Sequence, residues 1–273
     1  MRLPAVAGMF YPSSAGELRA EVDGFLAKAR IKVEAKKRLA IVCPHAGYVY
    51  SGATAAYSFA SCSNWEERGL TAVVIGPNHT GMGAPIAISQ QGWKTPLGEV
   101  ECDVGLAEAI IAAGRIARKD EIAHLQEHSC EVQLPFLQLV APSARVVCIC
   151  MGWQDEKSAQ DLGRAIFDAA KKAKRNIIAI ASSDFTHYES AQSAKEKDSQ
   201  AIALLEKMDM EGFEGLVDAQ RLSICGHGPI ACALAYAKLA GARNCELLRY
   251  TNSGEATGDA REVVAYASLA ISK

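Results

Sequence analysis

Three apolar runs in this chain each end at a residue that can do chemistry. Ile41-Val-Cys43 stops at Pro44 and His45, and Ala72-Val-Val-Ile-Gly76 runs into Pro77, Asn78 and His79. Asn176-Ile-Ile-Ala-Ile-Ala181 runs into Ser182, Ser183 and Asp184, with His187 three residues on. A further candidate, Cys225, lies in the small segment Ile224-Cys-Gly-His-Gly-Pro229. Two neutral imidazoles and an anionic group are the minimal donor set for a transition metal with open positions. His45 and His79 supply the imidazoles. The third ligand is open between Asp184, completing a two-histidine, one-carboxylate facial triad suited to ferrous iron, and Cys225, giving a softer site for zinc, copper or iron. Gly226, Gly228 and Pro229 put the Cys225 sulfur near a positive helix end, which favours the thiolate. Histidine as a residue type suits proton transfer near neutral pH, so His187 is the candidate general acid or base, oriented by Asp184. One histidine after a strand reads as structural; three strand ends of the same character read as a site.

The elements that position these residues follow from the pattern. Short β-branched runs bounded by Gly, Pro, Asn or Ser read as central strands covered on both faces, and ligands of open α/β sheets bind outside the carboxyl ends of such strands. The expected fold is therefore one α/β domain over residues 1–273, with a mostly parallel or mixed central sheet covered by helices. Helices are expected over 13–29, with Ser13 and Ser14 as caps, and over 52–61, 103–113, 132–140, 155–174, 193–208, 211–219 and 230–240. Gly47 and Gly52 read as a tight loop before the second of these, and Tyr48, Tyr50 and Tyr57 as pocket mouth or packing. Residues 84–102 read as a meander of short strands joined by glycine turns, and 145–151, 245–250 and 263–271 as further strands. His128 and Glu131, three apart, would share a helix face, either as half a metal site or as a structural cap.

Composition narrows the function classes. With 49% hydrophobic residues in 273, the chain can bury a large core. Twenty-nine basic against 31 acidic residues leave a net charge of −2, which offers no footprint for nucleic acid or an anionic membrane. Lys36, Lys37 and Arg38 read as a solvated loop. No apolar run approaches the roughly 20 residues of a membrane span, and the amino terminus is too interrupted for a signal peptide, so a soluble, cytoplasmic protein is expected. The nine cysteines lie mostly in strands and helices with no Cys-x-x-Cys pair, which reads as reduced core thiols rather than a disulfide framework or zinc knuckle. Repeats and the usual nucleotide-binding loops are absent.

Ala7-Gly-Met-Phe-Tyr-Pro12, Pro44-His-Ala-Gly-Tyr-Val-Tyr-Ser-Gly52, Gly76-Pro-Asn-His79, Glu127-His-Ser-Cys-Glu131 with Gln133-Leu-Pro-Phe136, Ser182-Ser-Asp-Phe-Thr-His187 and Ile224-Cys-Gly226 together resemble the MEMO family along essentially the whole chain. The resemblance implies a fold similar to class III extradiol dioxygenases of the protocatechuate 4,5-dioxygenase type, whose iron is held by two histidines and a glutamate. It maps the histidines onto His45 and His79, puts Cys225 where the glutamate would stand, and matches Asp184 and His187 to further pocket residues. A thiolate changes the metal's electronics and lets copper compete with iron, so ring cleavage does not follow from the fold. His227 has no role assigned by the resemblance.

Three readings follow. The first is a metal-dependent, dioxygenase-like oxidoreductase or redox protein with His45, His79 and Cys225 as ligands and His187 with Asp184 as proton-transfer pair, acting on a small molecule. The second is a non-catalytic module that binds a peptide or partner protein in the same crevice, as the resemblance to phosphotyrosine-binding animal relatives implies; microbial relatives imply radical-SAM companions. The third makes Cys225 a nucleophile activated by His187 or His45.

Overall fold

The computed structural model describes residues 1–273. In chain order the elements are α1 (Ala15–Arg30), β1 (Ala40–Cys43), α2 (Tyr48–Ala60), β2 (Leu70–Pro77), β3 (Ile86–Ile88), β4 (Trp93–Thr95), β5 (Gly98–Val100), α3 (Val104–Ala113), β6 (Ala117–Lys119), α4 (Leu134–Val140), β7 (Arg145–Met151), α5 (Glu156–Ala173), β8 (Asn176–Ser182), β9 (His187–Glu189), α6 (Ala191–Glu206), α7 (Met210–Gln220), α8 (His227–Leu239), β10 (Asn244–Asn252), α9 (Gly254–Thr257) and β11 (Val263–Ser272).

One nine-stranded sheet organises them in the order β10-β11-β1-β8-β2-β7-β3-β6, with β9 paired to β11. The centre is parallel: β8 lies between β1 and β2, and β7 flanks β2. β11 and β3 join this centre antiparallel, so the sheet is mixed. Every residue of β1 and β2 is buried, which is why their sequences read as unbroken apolar runs. Alternation is still present, but it sorts between two cores. Val42, Val73, Ile75, Ala179 and Ile149 face one, and Ile41, Ala72, Val74, Ile180 and Cys148 face the other. The first core is closed by apolar residues of α3, α5, α6, α7 and α8, such as Leu106, Leu162, Ile166, Ile202, Phe213 and Leu234. The second is closed by α1, α2 and α4 through Leu18, Val22, Phe59 and Phe136.

Several expectations are corrected. The second helix starts at Tyr48 rather than 52, so Gly52 is inside α2 and not in a loop. Residues 84–102 are not a meander: β3 joins the main sheet between β7 and β6, while β4 and β5 form a separate hairpin. Ser14 occupies the cap position of α1 but makes no side-chain cap bond, whereas Asp103 and Asp155 do cap α3 and α5. Arg38 is buried rather than solvated, donating to Ser61 O and pairing with Glu246 at 2.6 Å. The nine cysteines are all free, as expected. No helix is long and apolar enough to cross a membrane.

Candidate metal centre at the strand ends

Because β1, β8 and β2 are adjacent and parallel, their carboxyl ends deliver His45, Asp184 and His79 to one side of the sheet. These residues line a cavity of about 580 Å³ together with His128, His187 and Cys225. The crevice inferred from the strand ends therefore exists, and His45, His79, Asp184, His187 and Cys225 all line it.

The three imidazoles of His45, His79 and His128 bring ligand atoms within 4.8 Å of one another. Hydrogen bonds behind each ring determine which nitrogen faces the cavity. His45 Nδ1 lies 3.0 Å from Ser182 Oγ. That hydroxyl donates to Ser129 O at 2.6 Å and accepts from Gln133 Nε2 at 2.8 Å, so its remaining capacity is as acceptor and His45 Nδ1 carries the hydrogen. The lone pair of His45 is then on Nε2, which stands 3.2 Å from Cys225 Sγ. His79 Nδ1 donates to Glu127 Oε1 at 2.9 Å, leaving its Nε2 lone pair free. This is the carboxylate-histidine arrangement that orients metal-ligating imidazoles. Glu127 also accepts from the main-chain N–H groups of His79, His128 and Ser129.

The electrostatics suit cation binding. Burial opposes ionisation of Glu127, but the hydrogen bonds and charges of His79, Ser129 and His128 outweigh it and hold its carboxyl at about 2. Burial, reinforced by the neighbouring imidazoles, holds His45 well below the usual histidine range. His128 is lowered to about 4, again first by burial. Both are therefore neutral at physiological pH. Burial, and next the Asp184 charge, pushes the Cys225 thiol up. The stabilisation expected from the start of α8 is outweighed by desolvation, so the sulfur is a thiol, within reach of the His45 Nε2 lone pair as acceptor.

Asp184 and His187 share the cavity, but Asp184 does not orient the imidazole. Its Oδ1 accepts from the main-chain N–H of His45 at 2.8 Å and of Ala46 at 3.3 Å, pinning the loop that carries His45. Burial raises its carboxyl to about 6. His187 is held by Ser223 instead: its Nδ1 donates to Ser223 O at 2.8 Å, and its main-chain N–H to Ser223 Oγ. That leaves His187 Nε2 as a lone pair available for proton transfer.

Two glycines make the close approaches possible. A Cβ on Gly76 would stand 2.2 Å from Ser129 Oγ, so only glycine lets the Glu127–Cys130 stretch lie against β2. A Cβ on Gly226 would meet Ser182 O at 2.5 Å, so the Cys225 turn can reach the end of β8 only with glycine there.

His128 and Glu131 do not share a helix face. His128 precedes the short 3₁₀ turn Glu131–Gln133, and its ring stacks on His79 with centroids 4.7 Å apart. Glu131 points away and anchors the amino-terminal segment, accepting from the Arg2 guanidinium, the Ala5 and Val6 N–H groups and Tyr11 Oη. The turn so fixed puts Met9 and Phe10 on the cavity wall. His124 lies elsewhere, buried edge-on against Trp93. Of the three tyrosines only Tyr50 lines the cavity; Tyr48 donates to Val132 O and Tyr57 packs under Arg249. Sequence reasoning offered His128 only as half of a pair with Glu131, and it missed Glu127 as the partner of His79. Pro135 in the first turn of α4 was the available signal, because it starts that helix at residue 134 and leaves 127–130 in a loop.

Glu127→Gln is expected to weaken metal retention by roughly 10–100-fold with little change in melting temperature, because it removes the charge behind His79 while keeping the shape. Equilibrium dialysis against a metal buffer checks it; unchanged affinity would mean His79 is not a ligand.

Residues 2–270 match the family model described as Memo-like protein. A MEMO1 family protein of Methanosarcina mazei is 41% identical over 272 residues, covering 99% of each chain, and one of Methanosarcina barkeri is 43% identical, covering 99% of this chain and all of that one. Among solved structures, an uncharacterized protein from Escherichia coli K12 aligns at 13% identity and a TM-score of 0.48, over 72% of this chain and 85% of that one, a likeness too distant to bear on the site. Full-length matches at this identity place the chain in the Memo family.

Proposed function

We propose that this Memo-family protein is a metal-dependent centre that acts on a small molecule in the cavity at the strand ends. The observation that carries the reading is the convergence of the His45, His79 and His128 imidazoles, with Cys225 Sγ 3.2 Å from His45 Nε2. In this reading His45, His79 and Cys225 hold the metal and His128 stands beside them as a further donor or as a contact for the substrate. A donor set of imidazoles and one thiolate suits a borderline transition metal: iron, copper or zinc. When bound, such an ion supplies Lewis-acid or redox chemistry. His187 gives or takes a proton at Nε2, and Asp184 keeps the His45 loop in place. The raised Cys225 thiol weighs against the nucleophile reading, because a thiol nucleophile needs its pKa lowered.

Alkylation separates the roles of Cys225. Iodoacetamide is expected to modify Cys225 only after the metal is stripped with chelator, with mass spectrometry mapping the adduct. Equal labelling of metal-loaded and stripped protein would remove Cys225 from the ligand set.

A second reading, a module that binds a peptide or partner protein, is favoured by one feature of the rim. Met9 and Tyr188 are 72% and 75% exposed and, with Tyr50, form an apolar lip of the kind that protein partners cover. A metabolite screen with the reconstituted protein distinguishes turnover from binding.

A further inference from the structure

Asp184 leaves half of its carboxylate unused. Oδ1 accepts from the main-chain N–H groups of His45 and Ala46, whereas Oδ2 receives no hydrogen bond from any group of the protein. The residue is only 4% exposed, yet Oδ2 is not sealed: it opens into the strand-end cavity that Asp184 lines. A buried carboxylate oxygen with free lone pairs and access to a cavity calls for a donor from a ligand. Asp184 does not belong to the group of imidazole donors that close to within 4.8 Å, so Oδ2 is left for the organic part of a ligand rather than for an ion held there.

The rest of the wall sets the kind of donor. No lysine or arginine lines the cavity, and Asp184 is its one carboxylate, so no fixed cation of the protein competes for Oδ2. Four aromatic side chains share the wall: Phe10, Tyr50, Tyr188 and Tyr266. Burial first, and then the Asp184 charge, pushes the Tyr266 phenol up, so this ring is a near neighbour of the acid. Tyr188 is 75% exposed at the mouth and stands at φ 57°, a left-handed conformation that a bulky residue rarely takes. It is held there where β9 pairs with β11 across a shifted register. Backbone held against its preference while it presents an aromatic ring at a cavity mouth is strain of the kind found at ligand-binding positions. Aromatic faces beside a carboxylate are the chemistry that recognises an organic ammonium, because the anion and the ring quadrupoles both attract it.

We propose that the strand-end cavity binds a small primary amine with an apolar or aromatic body, its ammonium donating to Asp184 Oδ2 and its body packing among Phe10, Tyr50, Tyr188 and Tyr266. This inference rests on the reading of the cavity as a small-molecule site and names the class of molecule. It gives Asp184 two tasks, one for each oxygen: Oδ1 fixes the His45 loop and Oδ2 selects the ligand. A volume of about 580 Å³ suits a molecule of that kind.

The test is calorimetric titration of the full-length protein, metal-loaded and chelator-stripped, with phenethylamine and with 2-phenylethanol, its neutral counterpart of the same length. One-to-one binding of the amine about tenfold tighter than the alcohol is expected in both forms, because a charge-assisted hydrogen bond replaces a neutral one. Asp184→Asn, which keeps the Oδ1 acceptor, should bring the two affinities together. Tyr188→Asn, at an exposed position where asparagine tolerates the left-handed backbone, should weaken both ligands alike and leave the preference intact. Equal affinity for amine and alcohol in the unsubstituted protein would overturn the proposal, as would a preference that persists in Asp184→Asn or affinities untouched by Tyr188→Asn. A preference seen only with metal bound would put the amine nitrogen on the ion and overturn it equally. Because the stripped form is measured by itself, failure of the amine assignment is distinguished from failure of the metal reading, which shows instead as no metal retained on loading.

Discussion

Alanine at His45 or at His79 is expected to yield a folded protein that no longer retains a transition metal, with affinity lowered by more than the roughly 10–100-fold that loss of a supporting carboxylate causes. Both rings present Nε2 lone pairs to the cavity because Ser182 and Glu127 occupy Nδ1, so each substitution removes a donor already in the right tautomer. Folding should survive. His79 is partly solvent-exposed, and losing the His45 ring should cost only the roughly 0.5–3 kcal/mol of an ordinary buried substitution. Metal content after anaerobic purification, with circular-dichroism melts alongside, checks the expectation. Near-stoichiometric metal in both variants would sink the proposed centre. His128→Ala provides the contrast. If Cys225 is the third ligand it should reduce affinity less than either of the other two, and a loss as complete as theirs would assign the site to three imidazoles.

Replacing Glu131 by alanine should have the largest effect on stability of any single change near the site, a loss of about 3–5 kcal/mol. Glu131 and Arg2 are almost fully buried, so removing the carboxylate strands a guanidinium and the donors of Ala5, Val6 and Tyr11 in the interior. His124 O and Glu127 O would still hold Arg2, so the amino-terminal segment should loosen rather than detach. Met9 and Phe10 line the cavity, so the same change should also weaken ligands there. Thermal denaturation and hydrogen exchange of residues 2–11 measure both consequences. A variant with unchanged melting temperature would show that the buried network contributes nothing net.

The parallel centre of the sheet was legible because both faces are buried, which turns β1, β2 and β8 into continuous apolar runs whose ends are marked by Pro44, Pro77 and Ser182. Helix α5 was equally plain, with Asp155 as cap and Leu162 and Ile166 inward. Short or edge elements were not. β6 and β9 have three residues each and draw their hydrogen bonds from strands far away in sequence. Where α2 begins depends on Phe10 O accepting the Tyr48 N–H, a contact no local pattern encodes.

By itself, then, the sequence determined the α/β class and the delivery of His45, His79 and Asp184 to strand ends, because burial periodicity and chain breakers are local properties. Only the tertiary structure decided that β8 lies between β1 and β2, which is what makes those three ends neighbours. It also decided the partners: His128 against His79, Glu127 behind His79, Ser223 rather than Asp184 on His187, and Cys225 beside His45. The sequence had put Cys225 in one site with His45, but it did not pair Glu127 with His79 or Ser223 with His187, and separations of 48 and 36 residues show why. Side-chain hydrogen bonds form wherever packing brings donor and acceptor within about 3 Å, and packing is a property of the whole chain.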